Sequence, residues 1–491
     1  NMRKFYLTLL LMLAAGIDVV AENWMGRLPD HLYVAQVTIP GAHDAATAHG
    51  WTGLGLLVGD ATSKTQDITL QEQWALGVRA FDLRPKVDGT LDKHLQCYHG
   101  IAGIDLRFDD ALYILRDSLA KNPSEFAVVH LLYADGFDEE KDDYKTMLLE
   151  LLQSDGMKDY VVDFRRDLTV GEMRGKILLM SRDQYDTRPV GAFMTNWCGW
   201  IDWNVQTQGR VAGAGSGAMA GSPLYMQDLS DTHEAGMLDQ KVEAIGTMLD
   251  FSTRHAVKEA SDIVWVYNFA SGYSKVSSLL GNDISMSDGY RDNATYTNKA
   301  IVEYFRTHEA GPAGIVLMDY VGVDESEGYA TMGKAVVDTL IANNFKFVER
   351  MNAEAYETAV IMIDRLYDRL QRARETIGEE CPDVAADFED ELEGMRVAID
   401  SVKAEADSLY AGRLLTEAYE VDYTGNYSRI QKIIKAAREA QEAAGVAPVR
   451  AEGQREVRRV YSLSGELLDA PRRGTVNVVE YSDGTVRKVK F

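Results

Sequence analysis

Six short apolar runs between residues 30 and 350 constrain this chain more than any other feature: "LYVAQVTI", "GVRAFDLR", "FAVVHLLY", "KILLMSR", "IVWVYNF" and "GIVLMDY". They are rich in β-branched and aromatic residues, and amphipathic segments or long loops separate them. A strand with one wet face alternates apolar and polar residues. These runs are apolar almost throughout, which requires cover on both faces. Covered strands between helices make a parallel sheet, and roughly 300 residues of such units fit a closed (β/α) TIM-type barrel, here a distorted one. A doubly wound open sheet is the competing topology. Run after run ends in a polar or charged group on its C-terminal side: His43 and Asp44, Asp82 and Arg84, Arg182, Asn268, Asp319. In parallel-sheet proteins that rim is where sites are built.

At 491 residues the chain exceeds one ordinary core. The pattern changes after residue 350. Tyr356, Val360, Ile363, Tyr367 and Leu370 recur at helical spacing, as do Phe388, Leu392, Met395, Ile399 and Val402, and "NYSRIQKIIKAAREAQEA" supplies a third helix. The expected division is therefore a leader over 1–21, a barrel over 22–350, a three-helix bundle over 351–445, a linker over 446–456 and a short β segment over 457–491. The leader reading rests on a basic start, an apolar core too short to span a bilayer, and small residues ahead of Glu22. It implies export. The β segment, with alternating runs and a "DG" turn, resembles the short C-terminal β modules of exported proteins from some Gram-negative bacteria. Cys97, Cys198 and Cys381 have no metal or redox spacing and are expected mainly to pack, with a disulfide open. A net charge of −25 disfavours nucleic acid as a partner.

Two histidines flank an arginine in the order of the chain: His43 in "IPGAHD", Arg84 in "GVRAFDLR" and His99 in "CYHG". Cleaving a phosphodiester by in-line attack needs a base for the attacking hydroxyl, an acid for the leaving oxygen and a cation on the phosphoryl oxygens. Imidazoles suit both proton roles because they titrate near neutral pH, and a forked guanidinium suits the third. Two other readings use the same region. A metal phosphoesterase would gather His43, His49, His94 and His99, and a barrel that only binds its ligand, without turnover, would need no matched acid and base.

These motifs, with "KNPSEFAVVHL", "RGKILLMSR" and "GIVLMDY" following in order, resemble the X-domain phosphatidylinositol-specific phospholipases C, in particular the small secreted bacterial type. The likeness covers about residues 30 to 350. It implies His43 as general base on the inositol 2-hydroxyl, held by Asp319; His99 as general acid, assisted by Asp44; and Arg84 on the phosphate, oriented by Asp82. It implies an inositol 1,2-cyclic phosphate and diacylglycerol as products, with Arg182 and Asp228 touching inositol hydroxyls and Asn268 beside them. The chain departs from that pattern at Leu132, where the resemblance calls for a lysine, and at Ser230, where it calls for an aromatic ring. A modified inositol lipid, either a glycosylated anchor or a sphingolipid phosphoinositol, is the alternative substrate. No metal or other cofactor is expected, because relatives that use calcium carry a carboxylate where Arg84 stands. The acidic run "ADGFDEEKDD" is read as a solvated loop. In "HGWTGLGLLVGD", Trp51, Leu54, Leu56 and Leu57 are expected to be exposed on a loop and to contact a membrane surface. The expected destination is periplasmic, cell-surface or extracellular.

Overall fold

The structure is a computed structural model. It describes residues 21–134, 141–182, 191–195, 197, 209–213, 221–279, 282–444, 457–463, 465–471, 475–482 and 484–490. Residues 1–20 of the leader expected over 1–21, the linker over 446–456, Cys198 and most of the acidic run (135–140) lie outside the described residues. The chain divides into two compact units: Asn1–Asn352 with Thr416–Ala418, and Ala353–Leu415 with Tyr419–Phe491.

The first unit is built on a closed barrel. Among the described residues it has nine strands: β1 (Ile39–Ala42), β2 (Ala80–Leu83), β3 (Ala127–Leu131), β4 (Ile177–Ser181), β5 (Ala192–Thr195), β6 (Gly209–Gly213), β7 (Ser222–Gln227), β8 (Trp265–Phe269) and β9 (Ile315–Met318). They follow one another round the barrel in chain order, and β1 closes the ring by pairing in parallel with both β2 and β9. Five strands coincide with apolar runs, while the first run, "LYVAQVTI", forms a 3-10 turn at Val34–Gln36 and meets β1 only at Ile39; all six strands are buried along their whole length. Gly41 permits the closure, since a Cβ there would lie 2.6 Å from a Leu317 methyl and 2.9 Å from the Ala80 Cβ.

The expectation of an all-parallel ring is corrected on one side. Strand β6 runs antiparallel to both β5 and β7. Its sequence, "GRVAG", is short and glycine-flanked, so periodicity gives no sign of it.

A second departure carries part of the site. After β2 the chain forms an antiparallel sheet from Pro85–Asp88, His94–His99 and Ala102–Arg107, with Trp51–Thr52 added at one edge. Helix α1 (Gly55–Thr62) lies against this sheet at Gly103. Next comes α2 (Phe108–Lys121), which buries Phe108, Ala111, Leu112, Leu115 and Leu119 along one stripe, with Asp109 and Asp110 in its first turn and Lys121 in its last. Helices α3 (Met237–Thr253) and α4 (Ser287–Thr307) follow β7 and β8.

Helix α5 runs unbroken from Gly333 to Glu380, so the expected boundary at residue 351 is not a break in the backbone. The compact units nevertheless part at Asn352, where burial passes from barrel-facing to bundle-facing residues. In the second unit, Ile363, Leu366 and Leu370 of α5 share one apolar cluster with Leu392, Met395 and Ile399 of α6 (Glu389–Ala411) and Ile430, Ile433 and Ile434 of α7 (Tyr423–Ala443). The C-terminal segment is a four-stranded antiparallel sheet in which Val460 and Val479 are the buried apolar residues. Cys97 and Cys381 are buried free thiols, in keeping with packing roles.

Candidate active site

The C-terminal ends of β1, β2 and β9 bring the expected residues into one cluster. His43 leaves the end of β1 and its Nδ1 lies 2.8 Å from Asp319 Oδ1, just past β9. Its backbone is fixed by Gln66, whose side-chain amide donates to the carbonyls of His43 and Met318 at 2.8 and 2.9 Å. Asp319 is held in turn by the Gly272 backbone N–H, 3.2 Å from its second oxygen. With Nδ1 protonated toward Asp319, His43 turns Nε2 to the barrel mouth, where Arg84 Nη2 donates to it at 3.0 Å.

Arg84 is fixed by two carboxylates: Nε is 3.0 Å from Asp44 Oδ1, and Nη2 is 2.9 Å from Asp82 Oδ2. Asp44 is buried and adopts a φ of +41°. A non-glycine residue in that region is strained, and such strain concentrates at functional positions. Here it points the Asp44 carboxylate at Arg84 and at both imidazoles, since Oδ2 also lies 3.1 Å from His43 Nε2 and 3.4 Å from His99 Nε2. His99 comes from the end of the added antiparallel sheet. Its Nδ1 donates to the Ser63 carbonyl at 2.6 Å, which leaves Nε2 for the mouth. The two imidazoles face each other edge to face with centroids 6.3 Å apart.

The charges are unequal. Burial disfavours the His43 cation, but Asp44 and Asp319 outweigh it and raise the pKa to about 9, with Arg84 opposing. Burial lowers the pKa of His99, helped by Arg84 and His43 and opposed by Asp44. Burial also opposes the charges on Asp82 and Arg84, yet each stabilises the other: Asp82 is held well below the usual carboxylate range, and Arg84 above its own. Asp319 is raised by burial against the pull of His43.

The head-group candidates divide. Arg182 and Asp228 meet at 3.9 Å, Arg182 lies 4.4 Å from the centre of the Trp197 ring, and the indole N–H donates to Asp228 at 3.1 Å. Asn268 does not join them at the mouth. It is fully buried, its amide donates to the Ile245 carbonyl, and its oxygen accepts from Gln227, so it braces the barrel. Leu132 is half-buried and Ser230 exposed. His49 and His94 do not gather with His43. His49 Nε2 accepts from the Leu70 N–H, and half-buried His94 pairs with the Asp92 carbonyl. Among the described residues the ligating set close enough to share an ion is His43, Asp44 and Asp82. Arg84 already occupies both of those carboxylates.

The membrane candidates also change. Leu54, Leu56 and Leu57 are 61%, 72% and 82% exposed, but at the N-cap (Leu54) and in the first turn of helix α1 rather than on a loop. Trp51 is half-buried on the strand beneath. Its ring lies over Gly59, where a Cβ would fall 2.1 Å from the indole, and its N–H donates to Asp60 at 2.9 Å. The indole is packed, not presented.

Several residues had no sequence signal. Tyr290, from α4, places its hydroxyl 3.4 Å from His99 Nε2. His130 is opposite Asp82 in the strand register and lies among Trp197, Tyr267 and Phe269, with centroids 5.3–5.5 Å away and its Nδ1 without a partner among the described residues. Burial lowers its pKa to about 3. Lys241, on α3, is fully buried, donates to Gln227 at 3.2 Å and has its pKa lowered by burial to about 7. A Lys or His pointing into a barrel from a helix or a central strand looks, in sequence, like any surface or core residue.

No family model matches the chain. It is 26% identical over 331 residues to a 1-phosphatidylinositol phosphodiesterase of Staphylococcus aureus (strain Newman), a match covering 65% of this chain and 94% of that one. A protein of the same name from Listeria monocytogenes is 28% identical over 175 residues, 34% of this chain and half of its own length. The chain is similar to the bacterial phosphatidylinositol-specific phospholipases C. The human PI-PLC X domain-containing protein 2 is 28% identical over 165 residues, covering 29% of this chain and 52% of its own. Among solved structures, the phosphatidylinositol-specific phospholipase C of Listeria monocytogenes covers 66% of this chain at 21% identity, with a TM-score of 0.46.

Proposed function

We propose that the chain is a phospholipase C that cleaves the phosphodiester of phosphatidylinositol-type lipids without a metal. The observation that carries this reading is the pair of imidazoles facing each other across Arg84 and Asp44. In the proposed reaction the inositol 2-hydroxyl attacks phosphorus as His43 Nε2 takes its proton. Asp319 stabilises the imidazolium that forms. His99 enters the step as the imidazolium, with Nδ1–H on the Ser63 carbonyl; the bond from phosphorus to the diacylglycerol oxygen breaks, and His99 Nε2 gives that oxygen its proton and is left neutral. Arg84 neutralises charge gathering on the non-bridging oxygens. The products are inositol 1,2-cyclic phosphate and diacylglycerol.

Arg182 and Asp228 stand where hydroxyls of the head group would be read. Leu132 and Ser230 supply neither a charge nor a ring there, and this favours a modified inositol lipid, either a glycosylated anchor or a sphingolipid phosphoinositol, as a second reading of the same chemistry. The exposed leucines of α1 fit contact with a bilayer surface, and no helix among the described residues is long and apolar enough to cross a membrane. Export to the periplasm, cell surface or medium completes the reading, supported by the leader pattern in the sequence.

Phosphorus NMR of the protein with phosphatidylinositol micelles, with and without EDTA, tests this. A cyclic inositol phosphate signal that survives EDTA is the expected result. Loss of the signal in EDTA would remove Arg84 as the cation that matters. If neither tube gives cyclic product, while a glycosylated or sphingoid inositol lipid does, the second reading stands in place of the first. Binding of these lipids with no turnover of any of them would leave a binding barrel.

A further inference from the structure

The second unit contains a basic groove in a chain whose net charge is −25. It encloses about 250 Å³ between α5, α7 and the C-terminal sheet, and four arginines line it against two carboxylates, Asp368 and Glu480. Arg365, Arg369 and Arg372 recur at four- and three-residue steps of α5, so one helix face presents all three. Arg459 reaches the groove from the strand Val457–Tyr461.

Two of the guanidiniums are oriented by their neighbours. Arg372 pairs with Glu480, whose side chain is 4% exposed. Arg369 donates to the Tyr423 hydroxyl at 3.3 Å and lies 5.2 Å from the centre of the Tyr427 ring. Packing four like charges into one groove is unfavourable unless something anionic enters. The excess is matched by a dianion, and the forked donors match phosphate oxygens. Leu463, Val478 and Val486 give one wall an apolar face for the body that carries the anion. The segment around it agrees in sign, because residues 457–491 hold seven Lys and Arg against four Asp and Glu.

We propose that this groove is a second ligand site, separate from the barrel mouth, that binds a phosphate monoester joined to an apolar or ring-shaped body. Both a free sugar or inositol phosphate and a monoester lipid headgroup present that chemistry.

Phenyl phosphate, which joins the dianion to a ring, is the probe. It is titrated by calorimetry into the full chain, into R365Q/R459Q and into R84Q. Affinity is expected to fall about tenfold or more in R365Q/R459Q, the size of a lost charge-assisted contact, and to persist in R84Q. Hydrolysis of phosphatidylinositol by R365Q/R459Q is expected to be unchanged. Equal affinity in the wild type and R365Q/R459Q, loss in R84Q alone, or no binding by the wild type overturns the proposal. The exposed single variant R459Q, expected to lose about fivefold, keeps the test valid if the double variant melts early. Co-sedimentation with phosphatidylcholine vesicles, with and without phosphatidic acid, separates the sources. Retention of the wild type but not R365Q/R459Q on the acidic vesicles assigns the site to a lipid headgroup. Phenyl phosphate binding without that retention assigns it to a soluble phosphate.

Discussion

His43 is held from two sides, by Asp319 on Nδ1 and by Arg84 and Asp44 around Nε2. Replacing His43 or His99 with Ala is expected to lower kcat by about 100- to 10,000-fold, the range of a lost general base or acid, while the far-UV spectrum stays that of the wild type. A near-normal rate in either variant would end the acid and base assignment. The reacting form needs His43 neutral and His99 protonated, and because the His43 pKa is raised to about 9 while that of His99 is lowered, kcat/KM should rise with pH up to the His99 pKa, stay flat to about pH 9 and fall above it. Asp319→Asn removes one of the carboxylates that hold that value up. Its pH profile should show a lower rate and an alkaline limb displaced to lower pH, and an unmoved limb would mean that Asp319 does not control the His43 proton. The motif "GVRAFDLR" shows how far residue types can be read. Its two arginines are indistinguishable as a pattern, yet Arg79 is fully buried, pairs with Glu125 at 3.0 Å and stacks on Trp74, while Arg84 faces the mouth.

Among the elements, α1 was the least legible. Four glycines in twelve residues suggest a loop, but Gly55 and Gly59 serve close approach, to Gly103 and to the Trp51 ring, so a short helix can lie on the added sheet. The face left over carries Leu54, Leu56 and Leu57. Withdrawing one leucine from water contributes about 2 kcal/mol, or roughly 30-fold in partition. Leu56→Ser with Leu57→Ser should therefore weaken vesicle binding by at least about 30-fold while hydrolysis of a short-chain soluble substrate stays within about twofold. Equal losses on both substrates would dismiss the membrane role. Trp51→Ala is expected to lower the melting temperature instead, because the indole packs against the core. Five of the six apolar runs marked their strands because burial on both faces leaves a continuous signal, whereas β1, β5, β6 and β7 are short or interrupted by small residues.

For the whole molecule, the barrel interior has a measurable pH dependence. His130 keeps its imidazole neutral down to about pH 3, whereas the unfolded chain binds that proton near pH 6.5. The unfolded state therefore holds more protons between those values, and stability falls as pH falls through that window. His130→Phe should reduce the loss of unfolding free energy between pH 7 and pH 5 by roughly 2 kcal/mol, measured by urea denaturation at each pH. An identical loss in both proteins would show that His130 is protonated in the fold.

By itself the sequence determined a barrel followed by helices and a β tail, because strand burial leaves a local mark, and proton-transfer chemistry singled out His43, Arg84 and His99, to which the resemblance to the X-domain phospholipases C joined Asp44, Asp82 and Asp319. Only the tertiary structure decided that β6 runs against its neighbours, that Asn268 braces the barrel, and that Tyr290, His130 and Lys241 surround the site. Those outcomes depend on which chain segments meet in space, and the closing of a barrel sets that through contacts hundreds of residues apart, such as the one between His43 and Asp319.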